Sequence, residues 1–149
     1  MGDITDIIAI ATDHAGFLMK EFLKMKLGSK GYSFEDYGAS SEEAVDYPDM
    51  IHPLARDINN GTFKRGIIIC GSGNGVAMVA NKYKNVRAAI CWNKDIVKLS
   101  RQHNDANVIV LPARFISFED ALQFVDIFFT TGFEGGRHQR RVEKIASDL

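Results

Sequence analysis

The sequence predicts an α/β protein in which helices cover both faces of a five-stranded parallel sheet, a three-layer αβα sandwich. Five short segments rich in Ile, Val and Ala recur along the chain, with helical spacing of apolar residues between them. Four of these segments are nearly continuously apolar, as strands buried on both faces of a parallel sheet are. Strands and helices that alternate at this spacing form such a sandwich, with right-handed crossovers. The predicted strands are Ile7–Ala11, Tyr32–Asp36, Gly66–Cys70, Arg87–Trp92 and Asn107–Leu111.

The helical segments follow from apolar spacing and from residues that begin or end helices. The segment from Phe17 to Leu27 is closed by Gly28, and the fifth segment is opened by Ser117, a preferred N-cap residue. Tyr32–Asp36 alternates polar and apolar residues, so we expect it to be an edge strand. The other helical segments are marked by Met50, Leu54 and Ile58, by Val76, Val79, Ala80 and Tyr83, by Ile96 and Leu99, by Leu122, Val125, Phe128 and Phe129, and by residues 138–146. The order of these elements predicts a Rossmann-like sheet.

Length and composition predict a single domain over residues 1–149. Hydrophobic residues make up 46% of the chain and charged residues 25%, as in soluble globular proteins. A net charge of −1 argues against a nucleic-acid or membrane-surface binder that relies on bulk positive charge. No apolar run approaches the roughly 20 residues that span a bilayer, and two cysteines are too few for a disulfide framework. We therefore expect a cytoplasmic protein with no nucleic-acid and no membrane partner.

Ligands of parallel α/β sheets bind beyond the carboxyl ends of the strands. The first predicted strand is followed there by Asp13 and His14. Asp is among the preferred N-cap residues, so Asp13 has a structural interpretation as well as a functional one. An imidazole at the start of a helix, as at His14, can donate a hydrogen bond to a sugar hydroxyl or a phosphate.

The third predicted strand leads into a glycine-rich loop that precedes a helix. Glycines let the backbone approach a ligand closely, and consecutive N–H groups at a helix start can hold an anion. The spacing matches neither a dinucleotide fingerprint nor the nucleotide phosphate loop. Cys70, the last residue of the strand, is either a small buried hydrophobe or a thiolate favoured by the helix start. The loop consists of Gly71, Ser72, Gly73, Asn74 and Gly75.

Two further polar segments are candidates for chemistry. His103 and Asn104 end the fourth helix and are followed by a strand, which places them at a rim of the sheet. His103 is either a partner of the helix dipole or a general acid and base. Near the C-terminus, Arg137 and Arg141 lie four residues apart and share a helix face. Two guanidinium groups side by side suit a phosphate monoester, although a basic run is commonly a solvated surface.

Taken together, these motifs resemble the family of type B ribose-5-phosphate isomerases and galactose-6-phosphate isomerases. The resemblance covers almost the whole chain, and several separated motifs in one order are more specific than any single motif. The matching motifs are Thr12-Asp13-His14-Ala15-Gly16, Asp46-Tyr47-Pro48, Cys70-Gly71-Ser72-Gly73-Asn74-Gly75, Ala80-Asn81-Lys82, Leu99-Ser100-Arg101-Gln102-His103-Asn104-Asp105 and Glu134-Gly135-Gly136-Arg137-His138.

The resemblance implies reversible interconversion of an aldose phosphate and a ketose phosphate, D-ribose 5-phosphate and D-ribulose 5-phosphate, without metal or organic cofactor. Cys70 stands where one branch of the family carries its catalytic base, and Val76 stands where the other branch carries a Glu. The chain therefore resembles the cysteine-using branch. The resemblance makes His103, assisted by Asp13, the residue that opens the sugar ring, and Ser72 contributes a hydroxyl to the catalytic group.

The same resemblance assigns substrate contacts and an oligomeric state. It implies homodimers, often paired into tetramers, whose active sites are built from two subunits, so the C-terminal arginines can serve a neighbour's site. Tyr47 either lines the pocket or packs. The implied substrate-binding residues are Asp13, His14, Tyr47, Gly71, Ser72, Gly73, Asn74, Gly75, Asn104, Arg114, Arg137 and Arg141, with Arg137 and Arg141 on the phosphate.

Three other functions compete with the pentose isomerase. An isomerase of hexose 6-phosphates, such as allose or galactose 6-phosphate, would differ in pocket depth, which the sequence does not reveal. The presence of Cys70, His103 and both arginines in one chain favours the pentose enzyme. A non-catalytic sugar-phosphate-binding module would need the glycine loop and the arginines but neither Cys70 nor His103. A dinucleotide oxidoreductase would carry Gly-x-Gly-x-x-Gly after the first strand, where this chain has Asp-His-Ala-Gly.

Overall fold

The computed structural model describes residues 6–148, and in that part of the chain five strands form a single parallel sheet. The strands are β1 (Ile7–Thr12), β2 (Ser33–Asp36), β3 (Gly66–Cys70), β4 (Ala88–Ile90) and β5 (Val108–Pro112). They lie in the order β2-β1-β3-β5-β4, which confirms β2 as an edge strand. β4 is shorter than the predicted 87–92, since the N–H of Arg87 donates to the side chain of Asn107.

Six helices follow the predicted positions in the described residues. The predicted start of α5 is confirmed, since Ser117 caps the helix and its Oγ accepts from the N–H of Asp120. The second helix, in contrast, begins three residues before Met50, the first apolar residue that marked it. The earlier start fits Pro48, since proline suits the first turn of a helix. None of the helices within 6–148 is both long and apolar enough to cross a bilayer. The helices are α1 (Phe17–Gly28), α2 (Tyr47–Asn59), α3 (Asn74–Ala80), α4 (Lys94–Gln102), α5 (Phe118–Thr130) and α6 (Arg137–Lys144).

Two hydrophobic cores, one on each face of the sheet, confirm the three-layer sandwich. Successive side chains of a strand point to opposite faces, so Ile8 and Ile10 enter one core while Ala9 and Ala11 enter the other. α1, α4 and α5 contribute to the first core, and α2 and α3 contribute to the second. Cys91, the residue after β4, is fully buried in the first core.

All strands of the parallel sheet begin on one side, here called the amino edge, and end on the other, the carboxyl edge. Each loop lies at one of these two edges. In the register of β3 and β5, Cys70 is opposite Pro112 and Gly66 is opposite Val108. Loops that follow a strand therefore lie at the carboxyl edge, beside Cys70. Loops that precede a strand lie at the amino edge, beside Gly66. This distinction determines which candidate residues can meet within one chain.

Candidate active site

The segment after β1 forms a short 3-10 turn (His14–Gly16) that Asp13 caps. The Oδ1 of Asp13 accepts hydrogen bonds from the N–H of Ala15 at 2.9 Å and of Gly16 at 3.3 Å. The structural interpretation of Asp13 is thus confirmed, and the cap holds its carboxylate, almost fully buried, at the carboxyl edge. The Nδ1 of His14 accepts from the N–H of Val45 at 3.3 Å. In the neutral imidazole of His14, the proton is therefore on Nε2.

The glycine loop after β3 directs a backbone donor at the Cys70 sulfur. The side chain lies at the end of a fully buried strand and is 6% exposed. The N–H of Gly73 donates to Sγ at 3.0 Å. Gly73 has φ of +83°, a left-handed conformation that glycine adopts without steric cost, and an added Cβ would lie 3.2 Å from Val110. A glycine at this position is therefore what allows the chain to turn back over the sulfur.

Two side chains predicted to contact substrate lie directly over the same loop. Arg114 passes over Gly71, since a Cβ built on that glycine would be 3.2 Å from the Arg114 Cδ and Nη1. Tyr47 passes over Gly75, since a Cβ there would be 2.6 Å from its ring Cζ and 2.9 Å from its hydroxyl oxygen. Tyr47 thus lines the loop at the start of α2 and remains 38% exposed.

The remaining loop side chains are open to solvent. Ser72 is exposed, and its Oγ accepts a hydrogen bond from the N–H of Asn74 at 3.2 Å. Asn74 is exposed as well. The structure therefore gathers at the carboxyl edge the predicted residues Asp13, His14, Tyr47, Cys70, Gly71, Ser72, Gly73, Asn74, Gly75 and Arg114.

The other candidates form a second cluster, around two stacked imidazoles. His103 is the C-cap residue of α4, and its ring lies on that of His138 with centroids 4.1 Å apart and planes 12° apart. The Oε1 of Glu134 is 3.8 Å from the Nε2 of His103 and 3.6 Å from the Nε2 of His138. A single carboxylate thus faces both rings, while Arg137 and Arg141 of α6 are exposed beside them.

Burial and neighbouring charges in this cluster shift the pKa of His138. Burial lowers the pKa of His138, and the positive charges of His103, Arg137 and Arg141 lower it further. The carboxylate of Glu134 opposes this shift. Two imidazoles and a carboxylate are also a common set of zinc ligands, and their ligand atoms lie within 4.8 Å of one another. Stacked rings direct their nitrogen lone pairs in parallel, however, so one ring would have to rotate before both could bind a single ion.

One chain does not bring the two clusters together. His103 and Asn104 precede β5 and therefore lie at the amino edge, whereas Cys70 lies at the carboxyl edge. The four steps from Val108 to Pro112 alone separate the edges by about 13 Å. The rim at which the sequence placed His103 is thus the amino rim. Asn104, Arg137 and Arg141 lie with His103 on that side.

Two residues in this second cluster were not assigned a role by the sequence. Glu134 and His138 lie within a recognised motif, and their spacing of four residues is the available signal for a side-chain pair. That signal does not reveal the stacking of His138 on His103, because the partner residue is 35 positions away in the sequence. Only tertiary packing brings the two rings together.

A family model and two related sequences point to the same protein family. The model of the Ribose/Galactose Isomerase family matches residues 8–145. The chain is 39% identical to ribose-5-phosphate isomerase B of Escherichia coli over 140 residues, 94% of each chain. It is 41% identical to a probable ribose-5-phosphate isomerase B of Mycoplasma genitalium, over 93% of this chain and 92% of the relative.

Solved structures give the same result at the level of the fold. A ribose 5-phosphate isomerase from Thermotoga maritima superposes with a TM-score of 0.92 at 47% identity, covering 95% of this chain and 97% of the other. Ribose-5-phosphate isomerase B from Mycoplasma genitalium, solved with bound ribulose-5-phosphate, superposes with a TM-score of 0.91 at 38% identity. In that comparison 97% of this chain and 96% of the other are covered.

Proposed function

The chain belongs to the ribose/galactose isomerase family, and from this premise we propose that it interconverts D-ribose 5-phosphate and D-ribulose 5-phosphate. The observation that carries the proposal is the carboxyl edge, where a backbone donor faces the Cys70 sulfur beside Asp13 and His14. Relatives with this substrate in their names support the pentose over a hexose, as does a related structure with ribulose-5-phosphate bound. The proposed enzyme acts in the cytoplasm and uses no cofactor.

The proposed reaction begins with ring opening and continues with proton transfer between two carbons. His103, assisted by Asp13, moves a proton between the ring oxygen and the anomeric hydroxyl. The Cys70 thiolate then removes the proton from C2, which gives a cis-enediolate. Return of a proton at C1 and transfer of a proton from O2 to O1 complete the ketose. No atom is gained or lost, and no external oxidant or reductant is needed.

The loop contributes to this reaction by stabilising developing charge. In residues 71–75, the N–H of Gly73 donates to the Cys70 sulfur and the N–H of Asn74 to the Ser72 Oγ, so the other backbone N–H groups of the loop and the Ser72 hydroxyl are the donors we assign to the enediolate oxygen. Fixed donors of this kind commonly supply the largest single contribution to catalysis. Tyr47 and Arg114, which lie over the loop, close the sides of the substrate site. Binding the remote phosphate adds orientation of the reacting carbon relative to the sulfur.

We propose further that each active site is shared between two copies in a homodimer or homotetramer. His103, Asn104, Arg137 and Arg141 lie at the edge opposite Cys70, so one chain alone cannot place them on one small sugar. A two-fold interface that apposes the amino edge of one copy and the carboxyl edge of the next completes two identical sites. In this arrangement, Arg137 and Arg141 hold the phosphate of a substrate whose C2 faces the partner's thiol.

The activity is tested by incubating the purified protein with ribose 5-phosphate and, in parallel, with allose 6-phosphate. We expect ribulose 5-phosphate to form and the hexose to react poorly. Turnover of the hexose alone would keep the chemistry and replace the substrate. If the folded protein turns over neither sugar but binds both, the non-catalytic module is the better description.

The shared site is tested separately by mixing two inactive variants, Cys70→Ala and His103→Ala. Each variant retains one functional edge, so a mixed dimer contains one site with both wild-type residues. Random exchange of subunits should restore about a quarter of wild-type activity. A matched mixture of Cys70→Ala with itself provides the baseline. Failure to recover activity, despite mass spectrometry that detects mixed dimers, would mean that Cys70 and His103 act within one chain.

A further inference from the structure

Arg101 connects two segments that carry the histidine cluster. From the last turn of α4, its Nε donates to the carbonyl of Thr131 at 3.0 Å, in the stretch that leads from α5 to Glu134. Its Nη1 donates to the Oδ1 of Asp105 at 2.9 Å and to the carbonyl of Ala106 at 2.6 Å. The side chain is 17% exposed, so these bonds are largely shielded from water.

Asp105, one of the three hydrogen-bond partners of Arg101, has a left-handed backbone conformation that is uncommon outside glycine. Its φ is +47°, and within residues 6–148 it is the non-glycine residue with positive φ. Such a conformation persists where the surroundings enforce it, and such residues cluster at functional sites. Arg87 adds to the restraint, since its Nε donates to the Asp105 carbonyl at 2.8 Å and its Nη2 lies 3.5 Å from Oδ2. The turn after His103 is therefore fixed from two sides.

We propose that Arg101 is a positioning residue that keeps His103 stacked on His138 and facing Glu134. The inference rests on the proposed function, in which His103 opens the sugar ring. His103 follows Arg101 by two residues and Glu134 follows Thr131 by three, so the bond from Arg101 to Thr131 limits how far the two segments can separate. The N–H of Glu134 donates to the carbonyl of Gln102 at 3.0 Å and reinforces the same connection.

The geometry requires arginine and not simply a positive charge. The acceptors of Arg101 lie in two segments, and the planar guanidinium presents donors toward both at once. The guanidinium also lies 5.6 Å from the ring centroid of Phe128, where α5 packs. A lysine ammonium carries the same charge at a single point and cannot reproduce this fork. Arg101→Lys therefore removes the connection while retaining the charge.

The test compares Arg101→Lys with Arg87→Lys, which loosens Asp105 but leaves the bond to Thr131 intact. Because small misplacement of a catalytic group can cost about a hundredfold in rate, we expect kcat of Arg101→Lys to fall about 10- to 100-fold with little change in KM. Arg87→Lys should have a smaller effect. Lys30→Gln, which breaks a surface ion pair with Asp126, serves as the control for non-specific destabilisation.

A second readout does not depend on turnover. Stacked imidazoles shift each other's ring proton resonances, so in the wild type the NMR signals of His103 and His138 should be displaced and should lose that displacement in Arg101→Lys. Asp105→Asn, which keeps the side-chain size and tolerates positive φ, should give the same change to a smaller degree and replaces Arg101→Lys if that variant does not fold.

Two results would overturn the inference. One is unchanged histidine resonances together with wild-type kcat in Arg101→Lys. The other is unchanged resonances with a lower unfolding temperature and a proportionate loss of all activity, which would indicate a purely structural role. If the wild type itself has no isomerase activity, the proposed function fails, and the resonances still decide whether Arg101 positions the stack.

Discussion

The two edges of the sheet are built in different ways. At the carboxyl edge, the Cys70 sulfur ends a buried strand and accepts a hydrogen bond from the backbone N–H of Gly73 in the glycine-rich loop. At the amino edge, the cluster consists of side chains from a helix end and a late segment of the chain, with His103 38% and Glu134 52% exposed. In the proposed enzyme, the base is thus held by the core, whereas the groups proposed to open the ring and bind phosphate are side chains on the surface of the opposite edge.

The largest effect is expected at the carboxyl edge, from Cys70→Ala. Loss of a general base commonly costs 10²- to 10⁴-fold, so kcat should fall by about three orders of magnitude, while ribulose 5-phosphate still binds. Steady-state kinetics and calorimetric titration measure the two quantities.

Cys91→Ala is the matched control for this variant, since Cys91 is buried in the opposite core and should leave kcat unchanged. Burial raises the pKa of Cys91 to about 12, and its side chain is fully buried, so iodoacetamide at mildly alkaline pH should leave Cys91 unlabelled. Rapid labelling of Cys91 would contradict its place in the core.

The second prediction concerns an ion pair at the carboxyl edge. The Nζ of the buried Lys20 lies 2.6 Å from the Oδ2 of Asp36. Burial alone would raise the pKa of Asp36, but hydrogen bonds from Lys20 and Lys24 outweigh it and hold the pKa below the ordinary 3.8. The charged pair therefore stabilises the fold above that pH, and the contribution is lost as pH falls through the lower, folded-state pKa.

Asp36→Asn should reduce the free energy of unfolding by about 2–3 kcal/mol at neutral pH, since it leaves a buried ammonium with a weaker partner. Urea denaturation across the acid range measures this. The variant should also lose the pH dependence that Asp36 contributes below about pH 4. Lys30→Gln at the exposed pair with Asp126 is the control, with an expected loss below about 1 kcal/mol. Equal losses of unfolding free energy in the two variants would show that the buried pair stabilises the protein no more than the exposed pair does.

A third, smaller effect is expected at Gly75, over which Tyr47 lies. A methyl group there would displace the Tyr47 ring, so Gly75→Ala should raise KM by about tenfold, roughly 1.4 kcal/mol, with a lesser change in kcat. Gly28→Ala, at the end of α1 where an added Cβ meets nothing within 4 Å, is the matched control. An unchanged KM would mean that Tyr47 does not contact substrate.

The smallest effect is expected at the amino edge, from Glu134→Gln. The Glu134 carboxylate raises the pKa of His138 against the larger effect of burial. Removal of that charge should therefore move the titration of His138 to still lower pH, as measured by NMR of its ring protons. The sign is the informative part, because a shift to higher pH would mean that Glu134 does not face the stacked pair in solution.

Much of the fold could be predicted from the sequence because its signals are local. The nearly continuous apolar strands indicate burial on both faces of the sheet. Ser117 begins α5 by accepting a hydrogen bond from the N–H of Asp120, three residues later. The order of helices and strands along the chain also determines at which edge of the sheet each loop lies. A residue that precedes a parallel strand, as His103 precedes β5, must lie at the amino edge. The location of His103 and Asn104 follows from that rule.

The remaining features depend on contacts between distant segments. Tyr47 lies over Gly75 because α2 packs beside α3, and no periodicity within either helix predicts that overlap. Likewise, Arg87 and Arg101 contact Asp105, whose φ is positive, from separate elements of the chain, and no local pattern predicts that pairing. Such contacts were beyond a residue-by-residue interpretation.

The separation of the two edges has a consequence for how the protein responds to dilution. In the proposed two-chain site, each folded monomer keeps its core and its sulfur but lacks the groups that open the ring. Mass action then controls activity, because below the dissociation constant of the dimer the fraction of assembled chains falls with total concentration. Specific activity should decline on dilution while circular dichroism stays constant, and substrate, which bridges the two chains, should slow that decline.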